Sequence, residues 1–159
     1  MDRKFEGDPA PWQPFEELVS IKSENCIGAR AAERMCQRDY LVVFCDPRMN
    51  SAELHETVKN LVVDLPKPIL SRVIVVNADT PAENRRWLKK DSLEDRIDVF
   101  SDEKREWMQA YTALGEKRWS MTMFVLADER VQKLAREVDQ YAASRVIRNA
   151  VESLGEVRL

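Results

Sequence analysis

Cysteine and histidine side chains are the groups in this sequence best suited to nucleophilic, redox or metal chemistry. The chain has three cysteines, Cys26, Cys36 and Cys45, and a single histidine, His55. They form no Cys-x-x-Cys pair and none of the short-spaced ligand sets that hold zinc. We therefore predict neither a metal site nor a disulfide framework. The unpaired thiols indicate a reducing compartment, either the cytoplasm or an organelle matrix.

The reactivity of each thiol depends on its surroundings, because a helix N-terminus or a cationic neighbour is what lowers a cysteine pKa. Cys45 belongs to the apolar run 40–45 and should be a small buried hydrophobe in a strand. Cys36 should lie on the inward face of a helix. Cys26 lies in a predicted loop and should be the most exposed thiol, but no activating neighbour is predicted beside it. His55 is predicted to be a surface histidine.

Composition predicts a single globular domain, residues 15–159, preceded by a proline-rich arm over residues 1–14. Apolar residues make up 44% of the 159 and charged residues 33%, which is enough for both a core and a solvated surface. The net charge is -3 and the basic residues are interspersed with acids, so we predict no nucleic-acid partner.

Two further classes of function are excluded by the sequence pattern. No apolar run approaches the roughly 18 residues of a membrane helix, and the N-terminus has no secretory h-region. We therefore predict no membrane partner and no secretion. The four glycines argue against a nucleotide-binding loop, and no cofactor is predicted.

Strands and helices alternate along the middle of the chain. The apolar run 40–45 predicts a buried strand that ends at Asp46-Pro47, and a helix should follow over 51–64 with Asn50 as its cap. A second buried strand is predicted over 73–77. Thr80 should cap the next helix, with Pro81 at its first position.

The C-terminal half predicts a short strand over 97–100, then a helix capped by Ser101 and Asp102 and ended by Gly115. Two strands, 120–127 and 131–138, flank a three-residue polar turn and should form a hairpin. Asp139 should cap a last amphipathic helix whose inward side is formed by Tyr141, Ala142, Val146, Ile147, Ala150 and Leu154. Nearer the N-terminus, a helix is predicted over 29–38, while 15–28 could be strand or helix.

This order of elements resembles the thioredoxin fold in its peroxiredoxin-like form, over residues 36–154. The resemblance is carried by Leu41-Val-Val-Phe44 leading to Pro47, by Val73-Ile-Val-Val-Asn77 before a helix, by Val99-Phe-Ser-Asp102, and by Lys117-Arg-Trp-Ser-Met121. It implies an α/β three-layer sandwich, a mixed sheet with helices on both faces.

The same resemblance identifies a degenerate active site. Peroxiredoxins carry Pro-x-x-x-Thr-x-x-Cys and a distant arginine, and the corresponding residues here are Pro47, Ser51, Leu54 and Arg118. Leu54 thus stands where the peroxide-attacking thiol should be. On this alignment the chain keeps the scaffold of the site without its reactive atom.

The thioredoxin alignment gives the same result. Met49-Asn-Ser-Ala52 occupies the place of the Cys-x-x-Cys motif, so the degenerate site also includes Met49 and Ala52. Met121 stands where thioredoxins have a cis-proline. A non-proline cis bond costs about 2.5–4 kcal/mol, so a trans bond is expected.

Two functions remain open at this point. The first is a non-catalytic thioredoxin-like module that binds another protein through Met49, Leu54, Trp119, Met121 and Met123, since methionine with an aromatic suits a binding surface; alternatively, members of this set fill the core. The second is a thiol peroxidase or reductase that uses Cys26 or Cys45. A homodimer is possible, and so is an assembly role with the arm and the last helix as contacts.

Overall fold

The computed structural model describes residues 4–21, 39–114 and 119–157. Its centre is a six-stranded mixed sheet in the order β1-β4-β3-β2-β5-β6. The strands are β1 (Val19–Ser20), β2 (Leu41–Asp46), β3 (Val73–Asn77), β4 (Asp98–Ser101), β5 (Thr122–Ala127) and β6 (Arg130–Ala135). Strands β2, β3 and β4 are parallel, while β1, β5 and β6 pair antiparallel to their neighbours.

Helices cover both faces of this sheet. They are a 3-10 helix (Gln13–Glu17) and the α-helices α1 (Ala52–Asp64), α2 (Lys67–Leu70), α3 (Pro81–Lys90), α4 (Glu106–Ala110) and α5 (Ala143–Val157). Helices α1, α3 and α5 contribute to one apolar cluster, and α4 and the 3-10 helix contribute to the other. The predicted three-layer α/β sandwich is therefore confirmed. None of the described helices is long and apolar enough to span a bilayer.

All six residues of strand β2 are buried, and the strand contributes side chains to the apolar clusters on both faces of the sheet. Successive side chains of a strand point to opposite faces of the sheet. Val42 and Phe44 accordingly face the α1 side, whereas Leu41, Val43 and Cys45 face the aromatic cluster of the α4 side. An apolar run without alternation is typical of such an interior strand. The predicted strand, 40–45, differs from β2 by one residue at each end.

Helix caps follow the prediction in one case and not in the other. Thr80 caps α3 as predicted, since its hydroxyl accepts from the Glu83 backbone N–H. The cap of α1 is Ser51 instead of Asn50, because the Ser51 hydroxyl accepts from the Leu54 N–H at 3.2 Å. Asn50 adopts a left-handed conformation (φ 49°) and is held from outside the helix.

The hairpin between β5 and β6 has a tighter turn than predicted. Asp128 and Glu129 both have positive φ, 53° and 63°, and Arg130 already belongs to β6. Positive φ at both central residues is the type I′ geometry, whose twist matches the flanking strands. The turn has two residues, and the predicted length of three is therefore wrong by one residue.

Two C-terminal predictions need correction. Helix α4 ends at Ala110, well before Gly115, which lies outside the described residues. Tyr141 is 83% exposed and precedes α5, so it does not belong to the inward face of that helix. The Asp139 carboxylate accepts from the Tyr141 N–H and thus closes the turn before α5.

The N-terminal arm lies along the free edge of β6. Backbone hydrogen bonds run from Gly7 N to Val131 O (2.7 Å), from Val131 N to Asp8 O (2.8 Å) and from Ala10 N to Glu129 O (3.0 Å). An edge strand covered in this way offers fewer free backbone groups to another chain. The predicted helix over 29–38 lies outside the described residues. The described part of 15–28 holds the end of the 3-10 helix and β1.

Candidate functional site

The candidate site is the loop from Pro47 to Ser51, which joins β2 to the N-terminus of α1. Parallel strands β3 and β4 end at the same edge of the sheet as β2. In open α/β sheets this edge is where ligands and reactive groups are usually found. Pro47 and Ser51 are buried, whereas Met49 and Ala52 are exposed.

Leu54 fills the position that the sequence alignment assigned to a peroxidatic thiol. Its side chain is 1% exposed and packs into the apolar cluster between the sheet and α1. A hydrocarbon side chain cannot ionise or attack a peroxide. Leu54 is therefore a core residue, and its predicted role in contacting a partner is not supported.

Cys45 lies one residue before the end of β2, on the opposite face of the sheet from α1. Its side chain is fully buried in the cluster that contains Phe15, Trp107 and Tyr111. Burial raises the pKa of the Cys45 thiol well above its ordinary value, and the nearby Asp46 and Asp102 carboxylates raise it further. These surroundings disfavour the thiolate. Cys26 and Cys36 lie outside the described residues.

Asp46 is the acid nearest the loop, and Arg48 neutralises it. The Arg48 side chain donates from Nε to Asp46 Oδ1 at 2.9 Å and from Nη2 to Oδ2 at 2.8 Å, and the Arg48 backbone N–H donates to the same carboxylate. Arg48 also reaches Glu53 at 3.4 Å. The hydrogen bonds to Asp46 raise the pKa of the Arg48 guanidinium. A fully buried carboxylate bound at both oxygens holds the start of the loop in place.

Arg105 connects this loop to Trp119. Its Nε donates to the Pro47 carbonyl at 3.0 Å, and its guanidinium carbon lies 4.5 Å from the centroid of the Trp119 ring. Met49, two residues after Pro47, is 64% exposed, and Trp119 is 45% exposed. We call Met49, Arg105 and Trp119 the Met49–Trp119 surface.

The other two methionines of the predicted binding set are core residues. Met121 is 0% exposed and Met123 is 1% exposed, and both belong to the same apolar cluster as Leu54. The described residues contain no cis peptide bond. The predicted surface is thereby reduced to Met49 and Trp119. Arg118, the counterpart of the peroxiredoxin arginine, lies outside the described residues.

Comparisons with known proteins place this geometry in a fold. No protein-family model matches the sequence, and no curated protein matches it. Among solved structures, a cysteine-to-serine mutant of peroxiredoxin Q from Xylella fastidiosa matches with a TM-score of 0.78 and 14% identity, over 98% of this chain and 99% of that one. A corresponding mutant of Xanthomonas campestris peroxiredoxin Q gives 0.74 and 15%, over 94% and 98%. The peroxiredoxin-like protein of Aquifex aeolicus gives 0.65 and 17%, over 95% and 90%.

The chain has the peroxiredoxin form of the thioredoxin fold. At 14–17% identity the likeness concerns the fold alone. In this peroxiredoxin-like fold Pro47, Met49 and Ser51 lie in the loop after β2 and Leu54 lies in the first turn of α1, while Arg105 links the loop to Trp119.

Sequence reasoning missed a polar network behind the loop of this peroxiredoxin-like fold. Asn77 and Asn84 exchange two side-chain hydrogen bonds, at 2.7 and 2.9 Å, and Asn84 also donates to Ser101 at 3.0 Å and accepts from Trp87 Nε1 at 3.0 Å. Asp79 accepts from the Asn50 N–H at 2.8 Å, which holds the loop against this network. The sequence signal that could have indicated this network is Asn77, a polar residue at the end of an otherwise apolar buried strand.

His55 is not the surface histidine that was predicted. Its ring stacks on Trp87, with centroids 4.2 Å apart and an interplanar angle of 20°. The pair lines a groove of about 540 Å³ between α1 and α3. Burial lowers the pKa of His55, against the opposing effect of carboxylates that include Asp79 and Asp91. Within the described residues its Nε2 is buried and makes no hydrogen bond.

Asp102 has a structural role at the start of α4. Its carboxylate accepts from the backbone N–H groups of Trp107 (3.3 Å) and Met108 (3.0 Å) in the first turn, although the N-cap residue is Arg105 and not Ser101 or Asp102 as predicted. Ser101 instead takes part in the asparagine network. Burial raises the pKa of Asp102 despite these hydrogen bonds. No group of three or more potential metal ligands occurs in the part of the chain that the structure describes.

Proposed function

We propose that this chain is a catalytically silent module of peroxiredoxin-like fold that binds another protein through the Met49–Trp119 surface. The observation that carries the proposal is which side chains are buried and which are exposed after β2. The position of the expected thiol is a buried leucine, while the loop exposes Met49 to 64%. Arg105 links this loop to the exposed ring of Trp119, and exposed methionine and aromatic side chains are typical of protein-binding surfaces.

The electrostatics of the loop also support a binding role over a catalytic one. Asp46 is fully buried and doubly bound by Arg48, so it is not free to accept a proton from a substrate. Cys45 has a raised pKa and no exposed surface. What the Met49–Trp119 surface offers to a partner is exposed apolar area and the guanidinium of Arg105.

Partner capture with matched variants tests this proposal. Purified chain with Met49→Ser and Trp119→Ser is compared with wild type and with a control that carries Val63→Ser and Tyr141→Ser. The control changes two apolar residues elsewhere that are even more exposed. Quantitative mass spectrometry should find a protein that wild type and control retain and the Met49/Trp119 variant loses. Retention of every captured protein and of the oligomeric state by that variant would reject the proposal.

A second candidate is a thiol peroxidase or reductase that uses Cys26 or Cys45. It is favoured by the likeness to peroxiredoxin structures, among them a bacterioferritin comigratory protein of X. campestris described for its alkyl peroxide reduction activity. In such chemistry a thiolate attacks the O–O bond of ROOH, and with uptake of one proton this gives a sulfenic acid and ROH. A dithiol then reduces the sulfenic acid to the thiol, releases water and is itself oxidised to a disulfide.

Peroxide consumption separates the two candidates. Purified wild type is compared with the variant in which Cys26, Cys36 and Cys45 are all serine, with dithiothreitol as the reductant. Our proposal predicts equal background rates. Consumption that disappears in the triple variant would establish the thiol enzyme instead.

A further inference from the structure

Arg105 occupies a backbone conformation that its residue type disfavours. It precedes α4 with φ 56° and ψ 31°, in the left-handed region. Glycine adopts this conformation without penalty, whereas a residue with a Cβ pays a cost in folding free energy. Such residues persist where the surrounding structure or the function of a site maintains them.

The guanidinium of the half-buried Arg105 is held by two contacts. Nε donates to the Pro47 carbonyl, and the plane of the group lies over Trp119. Among residues 4–21, 39–114 and 119–157, no ion pair or other hydrogen bond of this side chain is observed. Arg48 provides the contrast, because Asp46 and Glu53 occupy its donors.

We propose that Arg105 is the carboxylate-binding residue of the Met49–Trp119 surface, and that the partner segment carries an aspartate or glutamate beside an apolar side chain. The inference rests on the proposed function and specifies its partner. The two terminal nitrogens of an arginine fork match the two oxygens of a carboxylate. Because the fork is already oriented by the ring and the carbonyl, less side-chain entropy is lost on binding.

The composition of the surface favours an acidic protein segment over a nucleic acid. Met49 offers flexible apolar contact, which suits a side chain of the partner. The whole chain carries a net charge of -3, which opposes a polyanion. A single cation such as Arg105 on a chain of negative net charge favours one carboxylate over a polyanion.

The left-handed conformation of Arg105 supplies a variant that separates folding from binding. Arg105→Gly removes the guanidinium, and the relief of the left-handed backbone offsets the lost contacts with Pro47 and Trp119, so urea unfolding should find its midpoint close to that of wild type. Arg105→Gln removes the guanidinium and its charge but keeps a polar side chain and the left-handed backbone of a residue with a Cβ. Arg145→Gln, an exposed arginine of α5, is the matched control.

The test uses a phage-displayed library of random 12-residue peptides selected on the full-length chain. Selected peptides should be enriched in aspartate or glutamate next to an apolar residue. Fluorescence anisotropy should show binding weakened at least about tenfold by Arg105→Gly and Arg105→Gln, and unchanged by Arg145→Gln. Replacing the peptide carboxylate by its amide should cause a similar loss, and the two losses should not add.

The outcomes are distinguishable. Peptides that need Met49 and Trp119 but tolerate Arg105→Gly, or that carry no acid, would overturn the role of Arg105 and leave the proposed function standing. A selection that yields no peptide sensitive to Met49→Ser and Trp119→Ser would count against both. An Arg105-dependent affinity for a 20-nucleotide single-stranded DNA that exceeds the affinity for the peptides would replace the acidic segment by a nucleic acid.

Discussion

The loops that follow β2 and β3 leave the same edge of the sheet and differ in what they expose. After β3, Asn77, Asp79 and Asn84 are at most 4% exposed, and their polar atoms bond to each other and to Ser101. After β2, the buried Asp46 is likewise satisfied, but Met49 and Trp119 remain exposed, and within the described part of the chain the terminal nitrogens of Arg105 make no hydrogen bond.

This difference separates a polar network satisfied within the protein from a surface that leaves apolar side chains in solvent. A buried polar network with its partners present adds rigidity and leaves nothing for a ligand. An exposed apolar pair beside an open cation gains free energy only when something covers it. The network after β3 therefore contributes to stability, whereas the exposed surface after β2 is the one that we propose for binding.

The largest expected effect comes from breaking the network. Asn84→Leu removes four hydrogen bonds and leaves Asn77 and Trp87 with unpaired buried atoms, which should lower the free energy of unfolding by about 3 kcal/mol. Urea denaturation measures it, with the exposed Lys89→Ala of the same helix as the control. A loss no greater than that of Lys89→Ala would show that the network does not stabilise the fold.

Breaking the ion pair under the β2 loop should have a smaller effect. Arg48→Met leaves the fully buried Asp46 carboxylate without its cation. Since the Arg48 side chain is itself 31% exposed, solvent screening limits the expected loss to about 2 kcal/mol. Urea denaturation with Arg145→Met as the matched control measures it. An unchanged midpoint would mean that water replaces Arg48 without cost.

Changing the surface itself should leave the stability almost unaltered. Met49→Ser removes an exposed side chain with no packed core around it, so the free energy of unfolding should change by less than about 0.5 kcal/mol. The same variant should lose the partner. Thermal unfolding measured beside partner capture tests both halves, and a destabilisation above about 1 kcal/mol would indicate that Met49 packs within the protein.

The pH dependence of stability concerns His55, which lies beside both regions. Because burial lowers its folded-state pKa, the unfolded chain binds the proton more readily, and stability should fall as the pH drops below about 6.5. His55→Phe keeps an aromatic ring against Trp87 and should lose less stability between pH 7 and pH 5. Urea unfolding at the two pH values measures this small difference, and identical losses would contradict it.

The fold was largely predictable because its strongest signals are local. The apolar runs of β2 and β3 and the Thr80-Pro81 start of α3 each lie within a few residues. The cap of α1 was misplaced because Asn50 takes its conformation together with a hydrogen bond to Asp79, 29 residues away. No local pattern contains that contact.

The sequence predicted where the candidate site lies along the chain, but not which of its side chains are exposed. Which of Met49, Leu54, Met121 and Met123 are exposed depends on strand pairing and helix rotation, which set the side of each residue relative to the core. Arg105 was missed because its two contacts, Pro47 and Trp119, come from distant segments. Its left-handed backbone is likewise invisible in a single sequence.

Alkylation of the native protein by iodoacetamide across pH tests the central claim most directly. With each cysteine followed by mass spectrometry, the account predicts that Cys45 is protected until the chain unfolds, and that no cysteine reacts below the pH range of an ordinary thiol. A cysteine that is alkylated rapidly at pH 6, and that forms a sulfenic acid when peroxide is added, would contradict a catalytically silent site.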